Sequence, residues 1–210
     1  MKKYTQADTT LNNNVYKRFM EMGLDDGWTS SDKIENFEQF LKICEYADFP
    51  IQQASVLDVG CGTGDFAFFL QKYGVKKYVG IDIFENAVKK ARLKYPFADF
   101  LVGDFLELKL EKYDFVYSSG AITAHISSDH YQLLGSWVKK MWDLSLKGVV
   151  FNVLLERYPG EESDEHLYLY NRLRVLEVTS LAVPESKMKV LVTDAGCGDG
   201  TEELHVYLYR

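Results

Sequence analysis

The 210-residue sequence predicts an α/β fold: a Rossmann-like, mostly parallel sheet of seven strands with helices on both faces and an antiparallel strand pair at the C-terminus. Three observations support this prediction. From Ser55 onward, short apolar segments alternate with amphipathic ones, as βαβ units do. The first apolar segment runs into a glycine-rich loop. The last two apolar segments alternate in polarity and flank a short loop, as a strand hairpin does.

The elements follow one another in the order that a parallel sheet requires. Apolar patterning predicts strands over 55–60, 78–82, 98–104, 113–119 and 148–155, and then the pair 188–194 and 203–210. A helix after the glycine loop buries Phe66, Phe69 and Leu70, and further helices are predicted over 85–94, 129–144 and 165–181. Ahead of the first strand, Ile34, Phe37, Leu41 and Cys44 form the apolar stripe of another helix.

The domain organisation follows from length and continuity. A chain of this size buries a core without staples, and no linker rich in proline, glycine and serine divides it. We therefore predict a single domain over 1–210, with a helical N-terminal cap at 1–50 and a Rossmann-like core at 55–210.

Composition excludes several classes of protein. Lysine and arginine number 24 against 31 acidic residues, a net charge of −7, which argues against nucleic acid as a partner. No apolar stretch is long enough to span or anchor in a membrane, and no targeting signal is visible, so we expect a cytoplasmic chain, as a monomer or homodimer. Cys44, Cys61 and Cys197 lack paired spacing, and no His and acid set has metal-ligand spacing, so we expect no disulfide and no metal.

The glycine-rich loop from Asp58 to Gly64, DVGCGTG, is the strongest functional signal. Glycines let the backbone approach a bound cofactor where a β-carbon would collide. An acid at the end of the second strand, here Asp82, accepts hydrogen bonds from the two hydroxyls of a ribose. The alternative role for Asp82 is a helix cap.

The loop chemistry favours a cationic cofactor over a dinucleotide. Glycines at 60, 62 and 64 give GxGxG, whereas the dinucleotide fingerprint needs its third glycine one residue later. Asp58 and Asp65 flank the loop and would repel a pyrophosphate. S-Adenosylmethionine carries a sulfonium and an ammonium beside its ribose, so acids around the loop suit it.

These motifs, in this order and spacing, resemble the class I S-adenosylmethionine-dependent methyltransferases from Trp28 to the C-terminus. DVGCGTG resembles the first motif, GIDI the second, GDFLE the third and YDFVYSSGA the fourth. The resemblance implies S-adenosyl-L-methionine as the methyl donor and S-adenosyl-L-homocysteine (SAH) as the product. The cofactor-binding residues it implies, together with those of the loop, are Trp28, Asp58, Gly60, Cys61, Gly62, Gly64, Asp82, Ile83, Asp104, Phe105 and Ser118.

Individual roles follow from the same resemblance. Gly60, Gly62 and Gly64 face the methionine portion of the donor, and Ile83 packs on the adenine. Asp104 reaches the adenine amino group and Phe105 flanks the ring. Ser118 to Gly120 border the donor methyl. In a bacterial branch of the family with undefined substrates, which DDGWTSSDKIENF and HVYLYR resemble, Trp28 helps to close the cofactor pocket.

The sequence departs from one family pattern after the fourth strand. SSGAIT stands where many enzymes that methylate exocyclic or amide nitrogen have NPPY or DPPY, which argues against DNA bases and glutamine amides as acceptors. His125, just beyond this strand, is the candidate catalytic base, and its alternatives are a helix cap or a solvent-exposed side chain. The predicted function is methyl transfer to O or N of a small-molecule acceptor.

Three further segments have competing interpretations. The second glycine cluster, Asp194 to Gly200, has no helix after it, so we interpret it as a hairpin loop rather than a second cofactor site. The acidic segment 158–170 either lines the acceptor entrance or is a solvated turn. An N-terminal lid containing Tyr16 and Phe19 is an equal alternative to ordinary packing. A catalytically silent, donor-binding regulatory protein is the alternative function.

Overall fold

The computed structural model describes residues 30–124, 127–159, 161, 163, 167–195 and 200–210. Seven strands form one sheet in the order β3-β2-β1-β4-β5-β7-β6. The strands are β1 (Ser55–Val59), β2 (Lys77–Asp82), β3 (Asp99–Val102), β4 (Tyr113–Ser118), β5 (Ser145–Leu154), β6 (Lys187–Asp194) and β7 (Glu202–Tyr209). The described helices are α1 (Ser30–Tyr46), α2 (Asp65–Gln71), α3 (Glu85–Lys94), α4 (His130–Leu144) and α5 (Arg172–Ala182).

The pairing confirms the predicted mixed sheet. β1 pairs in parallel with β2 and β4, β2 with β3, and β4 with β5. β7 runs antiparallel to both β5 and β6, so the C-terminal hairpin forms one edge of the sheet. Because the strand order reverses beside β1, the carboxyl ends of β1 and β4 border the crevice where open α/β sheets bind ligands.

Helices cover both faces, as the alternating pattern predicts. On one face, Phe40 and Ile43 of α1 join Phe66 of α2 and Val88 of α3 in a buried cluster. On the other, Leu134, Trp137 and Met141 of α4 join Val175 of α5. A strand that is buried on both faces of the sheet consists of consecutive apolar residues. For this reason β1 and β5 could be located from the sequence. No helix in the described ranges combines the length and apolar character needed to cross a membrane.

Two predicted boundaries are wrong. β5 begins at Ser145, three residues before the predicted start, because the chain turns directly from α4 into the sheet with the Ser145 hydroxyl donating to the Trp142 carbonyl at 3.0 Å. The helix predicted over 165–181 begins only at Arg172. The backbone of Tyr168 and Tyr170 bonds instead to Thr123 and Leu154, at 2.7 and 2.8 Å, and the Asn171 side chain caps the helix.

Candidate functional site

The glycine-rich loop lies at the carboxyl end of β1 and is attached to β2. The amides of Gly60 and Cys61 both donate to the Ile81 carbonyl, at 2.8 and 2.9 Å. The amide of Gly62 donates to Asp82 Oδ2 at 2.8 Å. The loop is therefore held in place by the strand end that carries the predicted ribose-binding acid.

Close packing explains two of the loop glycines. Gly60 has φ +81°, and a β-carbon built there would lie 2.2 Å from the Ala121 β-carbon. Gly64 has φ +82°, and a β-carbon there would lie 2.7 Å from the Phe100 ring. Any other residue at Gly60 would displace either the loop or the turn after β4.

Asp82 organises the loop and the start of the next helix. Its carboxylate is 8% exposed, and Oδ1 accepts the Phe84 amide at 2.8 Å while Oδ2 accepts that of Gly62. A carboxylate at this position is the group that the predicted ribose contact requires. Asp82 thus fixes the loop and the Phe84 amide just before α3, whose N-cap is Phe84 itself.

Asp58 is a second buried acid next to the loop. It is 3% exposed in β1, and the Tyr78 hydroxyl donates to its Oδ2 at 2.6 Å. Burial raises its pKa to about 7, although the Tyr78 hydrogen bond partly opposes the rise. A nearby positive charge would favour the ionised form of this carboxyl.

Asp65 contributes less negative charge to the loop than the sequence argument assumes. Lys33, Lys94 and Tyr95 contact its carboxylate at 2.8, 2.5 and 2.6 Å. Burial opposes ionisation, but these hydrogen bonds outweigh it and hold the pKa of Asp65 well below its usual value. Of the two flanking acids, Asp58 is the one without a lysine among its described contacts.

Cys61 is a packing residue in this structure. Its side chain is 8% exposed, and a β-carbon built on Gly80 would lie 2.9 Å from its sulfur. Burial and the charges of Asp82 and Asp58 raise the pKa of the thiol well above its usual value. The thiol is therefore a buried packing group between the loop and β2.

The ends of β2 and β3 lie side by side, because the Gly103 amide donates to the Asp82 carbonyl at 2.9 Å. Ile83 is 41% exposed there, which suits a contact with a ligand ring. Asp104 is half-buried, accepts the Leu106 amide at 2.8 Å, and has a pKa raised by burial. Phe105 is 3% exposed and packs against Trp137 with ring centroids 5.4 Å apart, so its side chain belongs to the core in this structure.

The turn after β4 closes over the loop. Ser118 is buried, and its hydroxyl donates to the Val59 carbonyl at 2.8 Å, which joins the ends of β1 and β4. The Gly120 carbonyl accepts from Thr123 Oγ1 at 2.5 Å. The structure therefore brings Asp58, Gly60, Gly62, Asp82 and Ser118 together at one crevice.

Two residues of this edge were missed from the sequence. Asn152 in β5 and Glu203 in β7 are each 2% exposed. Asn152 Oδ1 accepts the Gly120 amide at 2.9 Å, and its Nδ2 donates to Glu203 Oε1 at 2.7 Å. The available signal was a polar residue inside each of two otherwise apolar strands, since buried polar groups need hydrogen-bond partners.

Several predictions fall outside the described residues. Trp28, His125 and the N-terminal lid residues are among them, and so are four residues of the second glycine cluster. The cluster does connect β6 to β7, and the Ala195 amide donates to the Thr201 carbonyl at 2.8 Å, as in a hairpin. Among the described residues, no group of three or more His, Cys, Asp or Glu side chains is arranged to hold a metal ion.

A cavity of about 560 Å³ lies beside the same turn. Its walls include Tyr131, Glu156, Tyr168, Asn171 and Arg174. Tyr168 connects this cavity to the turn after β4, because its amide donates to the Thr123 carbonyl at 2.7 Å. Part of the acidic segment 158–170, namely Pro159, Glu161, Ser163, Tyr168 and Leu169, lines this cavity.

The strand order and the glycine loop at the end of β1 are those of a Rossmann-like α/β fold with a ligand crevice at the carboxyl ends of its strands. Residues 56–141 match the family model described as "Methyltransferase domain". This match and the fold are consistent with a class I S-adenosylmethionine-dependent methyltransferase and support an enzyme of that class. No curated protein matches the chain significantly.

Solved structures share the fold at low sequence identity. Magnesium protoporphyrin IX methyltransferase from Synechocystis, with bound SAH, has a TM-score of 0.67 and 14% identity and covers 98% of this chain and 94% of its own. The N-methyltransferase NodS from Bradyrhizobium japonicum, in complex with SAH, has a TM-score of 0.69 and 16% identity, over 94% and 98% of the two chains. The [4+2]-cyclase SpnF has a TM-score of 0.61 and 13% identity, over 83% and 81%.

Proposed function

We propose that this enzyme binds S-adenosyl-L-methionine at the glycine-rich loop and transfers its methyl group to an oxygen or nitrogen of a small-molecule acceptor. The observation that carries the proposal is Asp82, whose carboxylate holds the Gly62 amide at the carboxyl end of β2, where ribose binding requires an acid. Two solved structures of similar fold contain SAH, which supports the choice of donor.

The electrostatics of the crevice support a cationic donor. Asp58 and Asp82 are both buried beside the loop, and isolated buried carboxylates are costly. A sulfonium and an ammonium placed near them would offset part of that cost. A pyrophosphate would add negative charge to the same crevice, so the structure supports S-adenosylmethionine over a dinucleotide.

Methyl transfer needs alignment more than acid–base chemistry. The acceptor lone pair attacks the methyl carbon in line with the carbon–sulfur bond, whose electron pair stays on sulfur, so the products are the methylated acceptor and neutral SAH. Holding the two reactants in this geometry accounts for much of the rate. A hydroxyl or ammonium acceptor must also lose a proton, and His125, which follows the turn after β4, stays our candidate base.

The cavity beside the turn is our candidate acceptor site. Tyr131 and Tyr168 provide aromatic walls, and Glu156 provides a carboxylate whose Oε1 contacts the Asn171 amide group. Its volume suits a small metabolite.

A screen for product tests the proposal. The purified protein is incubated with S-adenosylmethionine, below its saturating concentration, and a panel of small amines, phenols and carboxylic acids, and SAH release is measured beside a reaction without protein and one with the Asp82→Ala variant. Acceptor-dependent SAH formation by the wild type, slower with Asp82→Ala and absent without protein, is the expected result. Donor binding without turnover on any acceptor class would favour the silent regulatory protein.

The cavity is tested once an acceptor is found. Tyr168→Ala should raise the KM for the acceptor while leaving the donor Kd unchanged, because Tyr168 lines the cavity and not the glycine loop. Tyr158→Ala is the matched control, since Tyr158 is 61% exposed on the same segment. Equal KM values for the two variants would place the acceptor elsewhere.

A further inference from the structure

We propose that Glu203 is a positioning residue for the donor site, which acts through Asn152 to fix the turn after β4 against the glycine-rich loop. The inference concerns donor binding, so it is independent of which acceptor the enzyme uses. It assigns a role to the C-terminal strand hairpin, which contains none of the four motifs.

The first step is the contact between β7 and β5. Glu203 lies opposite Leu154 near the start of β7, and its Oε1 accepts from Asn152 Nδ2 at 2.7 Å. Its Oε2 lies 3.5 Å from His205 Nε2, which is 2.9 Å from Thr193 Oγ1. These polar side chains occupy one face of the sheet at its ligand-binding edge, because residues two apart on a strand share a face.

The second step is the orientation of the Asn152 amide. Its Nδ2 donates to both Glu203 and Ser119 Oγ, so its Oδ1 is directed to the Gly120 amide, 2.9 Å away. A carboxylate accepts and never donates, so Glu203 selects this orientation. If the amide were reversed, two N–H groups would face each other at Gly120.

The third step connects the turn to the loop. The residue after Gly120 is Ala121, whose β-carbon lies 2.2 Å from the position that a β-carbon on Gly60 would occupy. Ser118, before the turn, is bonded to the Val59 carbonyl at 2.8 Å. Both sides of the turn therefore contact the end of β1, and a displaced turn would displace the loop.

Burial indicates that Glu203 is more than a packing residue. Glutamate is almost never fully buried without a partner, and an apolar side chain would fill a strand position at lower cost. Burial also lowers the pKa of the adjacent His205 to about 4, so the imidazole is neutral near pH 7 and does not neutralise the carboxylate. The Asn152 amide is therefore one of the polar partners that this buried side chain has.

Three single variants test this role through the Kd for SAH, measured by calorimetry beside the thermal unfolding midpoint. Glu203→Leu removes the acceptor and should weaken SAH binding at least tenfold, on the order of one lost buried hydrogen bond. Glu203→Gln retains an acceptor oxygen and should stay within about threefold of the wild type. Thr193→Val, at the far end of the same network, should bind SAH like the wild type.

The double variant Asn152→Asp/Glu203→Gln separates positioning from general stability. Asn152→Asp alone places two carboxylates in contact and should weaken binding at least tenfold, roughly as a broken buried pair does. Adding Glu203→Gln exchanges donor and acceptor, so the double variant should recover most of the affinity.

Three results would overturn the proposal. The first is wild-type affinity in a folded Glu203→Leu. The second is equal affinity in Asn152→Asp and in the double variant. The third is a loss of more than about tenfold in the affinity of Glu203→Gln for SAH. If Glu203→Leu does not fold, the comparison of Asn152→Asp with the double variant still tests the proposal.

Discussion

Replacing Asp82 with alanine removes the acceptor that fixes the cofactor loop. In the wild type, Asp82 accepts the amides of Gly62 and Phe84, each at 2.8 Å, from a buried position. The variant leaves both amides without this acceptor and also removes the proposed ribose contact. We expect the loop to be less ordered in the free protein and the donor to bind more weakly.

The expected loss is about 1 to 3 kcal/mol of donor binding free energy, the usual range for charge-assisted hydrogen bonds, or roughly 5- to 150-fold in Kd. The Asp82→Asn variant keeps one acceptor oxygen, so its Kd for SAH should lie between those of Asp82→Ala and the wild type. The assay is calorimetric titration with SAH.

The matched control for this prediction is Asp99→Ala. Asp99 is exposed at the beginning of β3, at the opposite edge of the sheet from the glycine loop. The Asp99→Ala variant removes a carboxylate from β3, the strand next to β2, and should leave the Kd for SAH unchanged. If Asp82→Ala binds SAH as tightly as Asp99→Ala does, the ribose assignment and the loop-anchoring role are both wrong.

Three other predictions concern the same crevice. Gly60→Ala should lower the free energy of unfolding by about 2 to 4 kcal/mol, read from denaturant midpoints, because its β-carbon meets Ala121 at a positive φ. The pKa of Asp58 rises from 3.8 in the unfolded chain to about 7 in the folded protein. The stabilising contribution of Asp58 is therefore present in full below pH 4, and the free energy of unfolding falls by about 4 kcal/mol as the pH rises to 7. Asp58→Asn should abolish this slope in unfolding measured from pH 4 to 8, and an unchanged slope would refute the assignment. Cys61→Ala should leave the SAH Kd within about twofold of the wild type, since the buried thiol is a packing group.

The sheet and its glycine loop could be predicted because local patterns determine them. Strands buried on both faces are apolar throughout, and the helix predicted over 85–94 agrees with α3, Glu85–Lys94. The GxGxG spacing and Asp82 could be singled out because backbone approach and ribose binding require particular residues at fixed positions, and the structure brings them together; that this crevice binds the donor stays a prediction. The hairpin of β6 and β7 was likewise visible as two alternating segments.

The remaining features depend on contacts distant in sequence. Tyr168 and Tyr170 lie in the segment predicted to be helical, yet their backbones pair with Thr123 and Leu154, and tertiary pairing overrides local propensity. Asn152 and Glu203 are 51 residues apart, and only the sheet order brings their side chains together. The neutralisation of Asp65 by Lys33 depends in the same way on where α1 packs.

The central claim is tested most directly by calorimetric titration of the purified protein with S-adenosylmethionine and SAH, with NAD as the control ligand. The account predicts that both sulfur ligands bind with Kd values on the order of micromolar and that NAD does not bind. Binding of NAD alone, or of none of the three, would contradict the assignment of the glycine-rich loop to a cationic methyl donor.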